Sequence, residues 1–290
     1  MKPLMIVTAP VATRSGYGSH SRDLVRSLIE MDRFDIRINS MKWGNCPMNA
    51  LNDRDPNDKV ILDRILTSPN VERQPEVHIQ ISVPNEFTPL AKYNIGITAG
   101  IETTIATPEW VQGMNKMDLN IVPSKFTKET FERTVYEQID ENTQQKAGEL
   151  RVTKPIEVLF EGVDTNIYKH LKEIKSEDLK AEFDKITEKV VFLYTGHWLQ
   201  GNLGNDRKDT GMLIKTFLET FKNYQKPPAL LLKTSGANFS IIDRNDVADK
   251  IVSIKNSVKG KLPPVYFLHG DLTDEEMNEM YNHPKVRAHV

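Results

Sequence analysis

Residues 190–220 read VVFLYTGHWLQGNLGNDRKDTGMLIKTFLET. The apolar run Val190–Tyr194 ends in Thr195-Gly196-His197-Trp198. A polar loop follows with Gly201, Gly204, Asp206, Arg207, Lys208 and Asp209. Apolar residues then return at helical spacing: Met212, Leu213, Phe217. The pattern predicts strand, loop, helix, with glycine at the strand exit and two cations at the helix entry. Such an arrangement suits a diphosphate. Glycine lets the backbone come close, a helix N-terminus offers free N–H groups, and Arg207 and Lys208 neutralise phosphate charge.

Outward from this stretch, strands alternate with helical patterns. Leu4–Ala9 is an apolar run, and residues 19–31 place Leu24, Val25, Leu28 and Ile29 on one face of a helix that Ser19 can cap. Residues 34–41 alternate as a half-exposed strand, and 77–83, 93–98 and 119–122 are further short strands. Residues 127–136 are helical with Ser124 as cap, and 137–154 are polar, read as an excursion or helix end. Strands recur at 156–160, 190–194, 229–233 and 265–269, a helix runs from Asp274 to Tyr281, and Arg287–Val290 begins another strand. Alternation of this kind predicts parallel sheets covered by helices on both faces. The expected architecture is α/β: two Rossmann-like domains, residues 1–160 and 161–290, facing across a cleft where ligands bind at the strand ends.

Bulk properties bound the function. The chain has 290 residues, 39% hydrophobic and 27% charged, with a formal net charge of -2. That balance gives no global field favouring nucleic acid or an anionic membrane. No apolar run is long enough to cross a bilayer. One cysteine, Cys46, excludes an internal disulfide and fits a reducing, cytoplasmic setting.

Several constellations carry chemistry. Ser15-Gly16-Tyr17-Gly18 follows the first strand, and Gly16 and Gly18 read as a tight loop open to backbone approach. The G-x-G-x-x-S spelling falls short of the dinucleotide fingerprint. Asp35 comes too early, and Asn39 carries no charge to bind a ribose. Glu102, beyond the fourth strand, suits a sugar hydroxyl or a proton-transfer role, with a plain loop carboxylate as the bland alternative. Lys233 ends a buried strand, which calls for an anionic partner, and His269-Gly270 ends the next. Asp53-Arg54-Asp55 is formally D-x-D but lies in a polar turn and is rejected as a metal–nucleotide motif. No H-E-x-x-H or Cys-x-x-Cys occurs, so no protein-built metal site is expected. G-x-x-x-x-G-K-[ST] and G-x-S-x-G are also missing.

Five motifs in order support a resemblance: Ser15-Gly16-Tyr17-Gly18, Val122-Pro123-Ser124-Lys125-Phe126, Glu161-Gly162-Val163-Asp164 with Tyr168, Gly196 with Arg207-Lys208, and His269-Gly270. Together they resemble the GT-B glycosyltransferases of the retaining family 4 group, over nearly the whole chain. The resemblance implies transfer of a sugar from a nucleotide-sugar to an acceptor it does not identify, with retained anomeric configuration and no required metal. It implies that Arg207 and Lys208 hold the donor diphosphate, that Gly16 and Gly18 line the cleft near it, that Gly196 permits backbone approach, and that the turn at His269, Gly270 and Leu272 lies near the base or ribose. His197 and Lys233, at strand ends, join the candidate binding residues by position. Glu102 stands where the family often has His. The family's E-x-x-x-x-x-x-x-E segment would follow the last strand. The chain stops first, so a truncated and poorly active second domain is expected. Competing readings are an NAD(P)-dependent oxidoreductase using the Gly16 loop, a sugar-nucleotide epimerase, and a non-catalytic nucleotide-sugar-binding remnant.

Overall fold

The computed structural model describes residues 2–68, 71, 73–139, 145–199, 203–206, 208–236 and 239–290. The chain forms two compact units, Met1–Gly162 and Val163–Val290.

The first unit runs β1 (Leu4–Ala9), α1 (Gly16–Glu30), β2 (Asp35–Ser40), α2 (Pro56–Leu62), β3 (Val77–Ile81), β4 (Tyr93–Ile97), α3 (Pro108–Met114), β5 (Leu119–Val122), α4 (Lys125–Arg133), β6 (Val135–Ile139), β7 (Lys146–Arg151) and β8 (Ile156–Val158). Its main sheet has the order β2-β1-β3-β4-β5-β8. All five pairings are parallel. Strand order reverses direction between β1 and β3. That is the switch point, where a crevice opens outside the strand ends.

The second unit runs α5 (Glu177–Asp184), β9 (Val191–His197), α6 (Thr210–Phe221), β10 (Ala229–Ser235), α7 (Ile241–Ser257), β11 (Val265–Leu268), α8 (Asp274–Asn282) and β12 (Val286–His289). Its sheet is β11-β10-β9-β12, again parallel throughout, so the reversal falls between β9 and β12.

Burial explains the sequence pattern. Strands covered on both faces read as continuous apolar runs, as in Ala229–Leu232, where all four residues are buried. On one face of the second sheet, Tyr194, Trp198, Leu230 and Leu232 pack with Ile214, Phe217 and Leu218 of α6 and Val247 and Ile251 of α7. On the other, Leu193 and Leu231 pack with Leu179 and Phe183 of α5 and Met280 of α8. The first sheet is layered in the same way, with Val25 of α1 and Ile61 of α2 in one core and Met114 of α3 and Phe131 of α4 in another.

Three expectations need correction. The polar stretch after α4 is an antiparallel hairpin, β6 with β7, pairing Tyr136 with Leu150. Tyr136 and Leu150 turn inward against the α3–α4 core, and the Tyr136 hydroxyl donates to the Ala106 carbonyl at 2.6 Å. Alternation this sparse is easily lost among charged neighbours. Helix α1 begins three residues before Ser19. The true cap is Ser15, whose Oγ accepts from Gly18 N. Ser19 N donates to the Ser15 carbonyl at 2.9 Å, so Ser19 lies inside the first turn. Finally, β9 extends through Thr195, Gly196 and His197, because those residues continue the ladder with Lys233, Thr234 and Ser235.

His78, on β3, is 2% exposed. Its Nε2 lies 2.9 Å from Thr8 Oγ1, and among the described residues its Nδ1 has no partner. Burial pushes the imidazole down to about 4. The unfolded chain takes up this proton near pH 6.5, which the fold refuses. Stability is therefore lost as pH falls from about 6.5 towards 4, by on the order of 3 kcal/mol for this group. Thermal melts at pH 7 and pH 4.5 should show a smaller difference in Tm for His78→Gln than for the wild type. An equal difference removes His78 as the cause.

Candidate functional site

Parallel pairing gathers the candidate residues at the carboxyl edge of each sheet, and the two edges are described separately.

In the first unit, the loop after β1 turns sharply, with Thr13 N donating to the Pro10 carbonyl at 3.0 Å. Thr13 Oγ1 also donates to that carbonyl at 2.9 Å, so the Ser15 hydroxyl, 2.8 Å away, gives its proton to Thr13. The Ser15 oxygen is then free to accept from Gly18 N at 3.0 Å and cap α1. Arg22 reaches back from α1 to the carbonyls of Val11 and Thr13, at 3.0 and 2.9 Å. Gly16 and Gly18 are therefore the first helical turn rather than a free loop. A Cβ on Gly18 would stand 2.2 Å from the Thr13 carbonyl oxygen. A Cβ on Gly16 would meet nothing within 4 Å.

Tyr17, between the glycines, joins this turn to the end of β4. Its hydroxyl lies 3.1 Å from Thr98 Oγ1 and accepts from Ala99 N at 3.0 Å. Burial raises the phenol above its ordinary range. Its ring lies 4.1 Å from that of Trp43. Gly100 follows with φ +89, a conformation that favours glycine, and a Cβ there would collide with Thr127 at 2.2 Å. Glu102 stands just beyond, exposed in the same loop. The D-x-D stretch is structural, with Asp55 capping α2 through Asn57 N at 2.8 Å.

In the second unit, Gly196 and Lys208 come together. A Cβ on Gly196 would lie 2.8 Å from Lys208 Nζ and 3.0 Å from the Tyr194 hydroxyl. The ammonium thus lies over the one residue of the strand exit that has no side chain to displace it. Arg207, expected beside Lys208, lies outside the described residues, as does Gly201. Across the strand, His197 Nδ1 is 3.1 Å from Ser235 Oγ. At the switch point, Thr195 Oγ1 is 2.8 Å from His289 Nε2.

Lys233 and His269 organise two turns. Lys233 Nζ donates to the Gly270 carbonyl at 2.6 Å and stands 5.2 Å from the Phe239 ring centroid. Gly270 has φ +149, a glycine conformation with open space around it. His269 Nε2 is 2.8 Å from Asp243 Oδ2, and both side chains are under 10% exposed. A carboxylate only accepts, so Nε2 carries the proton. The same Asp243 oxygen accepts Gly236 N at 3.0 Å. One buried carboxylate therefore clasps the turn after β10 to the residue after β11. Asp243 was not singled out from sequence. Its spacing three residues after Ser240, which caps α7, reads as an ordinary capping pattern. Tyr168, named with the Glu161 motif, donates to Asp274 Oδ1 at 3.1 Å, and burial beside that carboxylate raises its phenol.

No protein-family model matches the chain, and no curated protein matches it. Solved structures do. An alpha,alpha-trehalose-phosphate synthase (UDP-forming) from Burkholderia vietnamiensis matches with TM-score 0.54 and 12% identity, over 97% of this chain and 76% of that one. An OtsA apo structure matches with TM-score 0.51 and 12% identity, over 96% and 76%. A further trehalose-6-phosphate synthase, OtsA, gives TM-score 0.51 and 11% identity, over 96% and 76%. The fold is accordingly that of GT-B enzymes, α/β with two Rossmann-like units.

The two glycines of α1 should separate on mutation. Gly18→Ala drives a methyl into backbone, and urea denaturation should show a loss of about 1–3 kcal/mol. Gly16→Ala meets open space in a helical turn and should fall within about 1 kcal/mol of wild type. Equal effects would show that α1 does not start as described.

Proposed function

We propose that the chain is a glycosyltransferase of GT-B type, taking a sugar from a nucleoside diphosphate-sugar and passing it to an acceptor with retained configuration. The observation that carries this reading is the Lys208 ammonium over Gly196, at the N-terminus of α6 and beside the β9/β12 switch point. Breaking the bond between sugar and diphosphate leaves negative charge on the departing phosphate. An ammonium and a helix N-terminus fixed in advance stabilise that charge as it develops. Arg207 is assigned the same role from its place in the sequence. The likeness to a UDP-forming synthase supports the reading at the level of fold.

The remaining assignments follow from position. The second unit takes the donor, with Gly196, His197 and Lys208 nearest the diphosphate and the His269-Gly270 turn nearer the nucleoside. The first unit serves the acceptor side, where Gly16, with open space above it, admits a close approach and Glu102 offers an exposed carboxylate. Lys233 acts through the turn whose Gly270 carbonyl it holds. The family 4 type and a cytoplasmic location belong to the same proposal.

An oxidoreductase is disfavoured by a specific observation. β2 ends in Asn39-Ser40, without the carboxylate a ribose needs. A non-catalytic remnant would share the donor site and differ only in turnover of the nucleotide-sugar.

Calorimetry with UDP, GDP and ADP tests the proposal. One of them should bind, and Lys208→Ala should weaken it by about 10- to 100-fold, the worth of one charge-assisted hydrogen bond. No binding of any nucleoside diphosphate, together with enhanced NADH fluorescence on mixing, would replace this reading with the oxidoreductase.

A further inference from the structure

A directed chain of hydrogen bonds joins Tyr194 of β9 to Asp206 and Thr210 at the start of α6. Thr210 Oγ1 donates to Asp206 Oδ2 at 2.8 Å, and Thr210 N donates to the same oxygen at 3.2 Å. The threonine hydroxyl has one proton, and the carboxylate can only accept. The Tyr194 hydroxyl, 2.8 Å from Thr210 Oγ1, must then donate to it. The order Tyr194 to Thr210 to Asp206 is fixed by this count of protons. Tyr194 is 5% exposed and Thr210 0%, so this bond joins two buried hydroxyls.

Asp206 also works through its backbone. Its carbonyl accepts Asp209 N at 2.9 Å and closes a turn around Lys208. Asp209 sits at φ 50 and ψ 39, in the left-handed region that non-glycine residues seldom occupy. A strained residue persists only where its surroundings determine it. Here the determinant is Asp206, which grips Asp209 from one side and Thr210 from the other. Lys208 projects from a turn pinned at both ends. The Tyr194 proton is committed to Thr210, which leaves its oxygen an acceptor. It lies, like Lys208 Nζ, about 3 Å from the point a Gly196 Cβ would occupy.

We propose that Tyr194, Thr210 and Asp206 are positioning residues that set the Lys208 ammonium over Gly196 to receive a diphosphate. This rests on the donor reading above. None of the three needs to touch the ligand. A helix cap alone would require neither the buried tyrosine nor the strained Asp209.

Two measurements on the full chain test the proposal. The first needs no ligand. Amide exchange across residues 203–213 should speed up by about tenfold in Thr210→Val and Asp206→Ala, while β10 and α7 stay protected. Thr210→Ser should restore the wild-type rate. The second is calorimetry with the nucleoside diphosphate that binds best. Thr210→Val should weaken it by about tenfold, and Lys208→Ala should add little in that background, since both remove the same contact. Should Thr210→Val fail to fold, Tyr194→Phe removes only the first donor and should give about a threefold loss. Unchanged exchange, or losses that multiply independently, would overturn the positioning role. If the wild type binds no nucleoside diphosphate, the donor reading falls, and the exchange result alone decides whether the chain of bonds holds the loop.

Discussion

Parallel pairing is the constraint on which the rest of this molecule depends. Every strand of the main sheet in the first unit and of the sheet in the second runs the same way. Each sheet therefore gathers all its strand exits along one edge, with the N-termini of the returning helices beside them. Residues distant in sequence, such as Gly196, Lys233, His269 and His289, become neighbours along that edge without any direct contact having to specify it. The same geometry creates a difficulty. Strand ends and helix starts both expose backbone N–H groups, which need acceptors where water is scarce.

Carboxylates meet that demand repeatedly. Asp243 takes Gly236 N together with His269. Asp206 takes Thr210 N together with the Thr210 hydroxyl. Glu279 takes the N–H groups of Lys175 and Ser176 ahead of α5, and Asp58 takes Asn52 N while pairing with Arg26 at 2.7 Å. Asp243, Glu279 and Asp58 each join separate segments, and Asp206 ties its own turn to the start of α6. A loop tied in this way keeps its shape without a ligand, which lowers the ordering cost of binding.

The sequence made some of this legible. Val190–Thr220 read as strand, loop and helix because a buried parallel strand is continuously apolar and α6 keeps its apolar residues at helical spacing. Ser124 was identifiable as a cap because it directly precedes a helical pattern. The hairpin β6–β7 was missed because only Tyr136 and Leu150 mark its inner face, too few to show a period of two amid charged residues. Ser19 was preferred over Ser15 because glycines inside a first helical turn look like a loop. The pairing of Asp243 with His269 spans two strand connections, and no local pattern records it. What was legible was local periodicity. What was not depended on which strand lies beside which.

Lys233 shows how this bears on the site. Its place at the end of a central strand calls for an anionic partner, yet its ammonium holds the neutral Gly270 carbonyl and faces Phe239. Lys233 is half-buried, and moving its ammonium would release the Gly270 carbonyl and with it the β11–α8 turn. Lys208 sits differently. It is exposed, on a turn that Asp206 shapes, over a glycine. Asp206 places a negative charge near the same helix start, which by Coulomb's law alone opposes a diphosphate. Its oxygen is already occupied by the Thr210 N–H and hydroxyl, which draw off part of that charge. The arrangement gives up some long-range attraction for a fixed ammonium. On the donor reading proposed above, the leaving group's charge appears only as the bond breaks, and there a fixed partner contributes more than a stronger but mobile one.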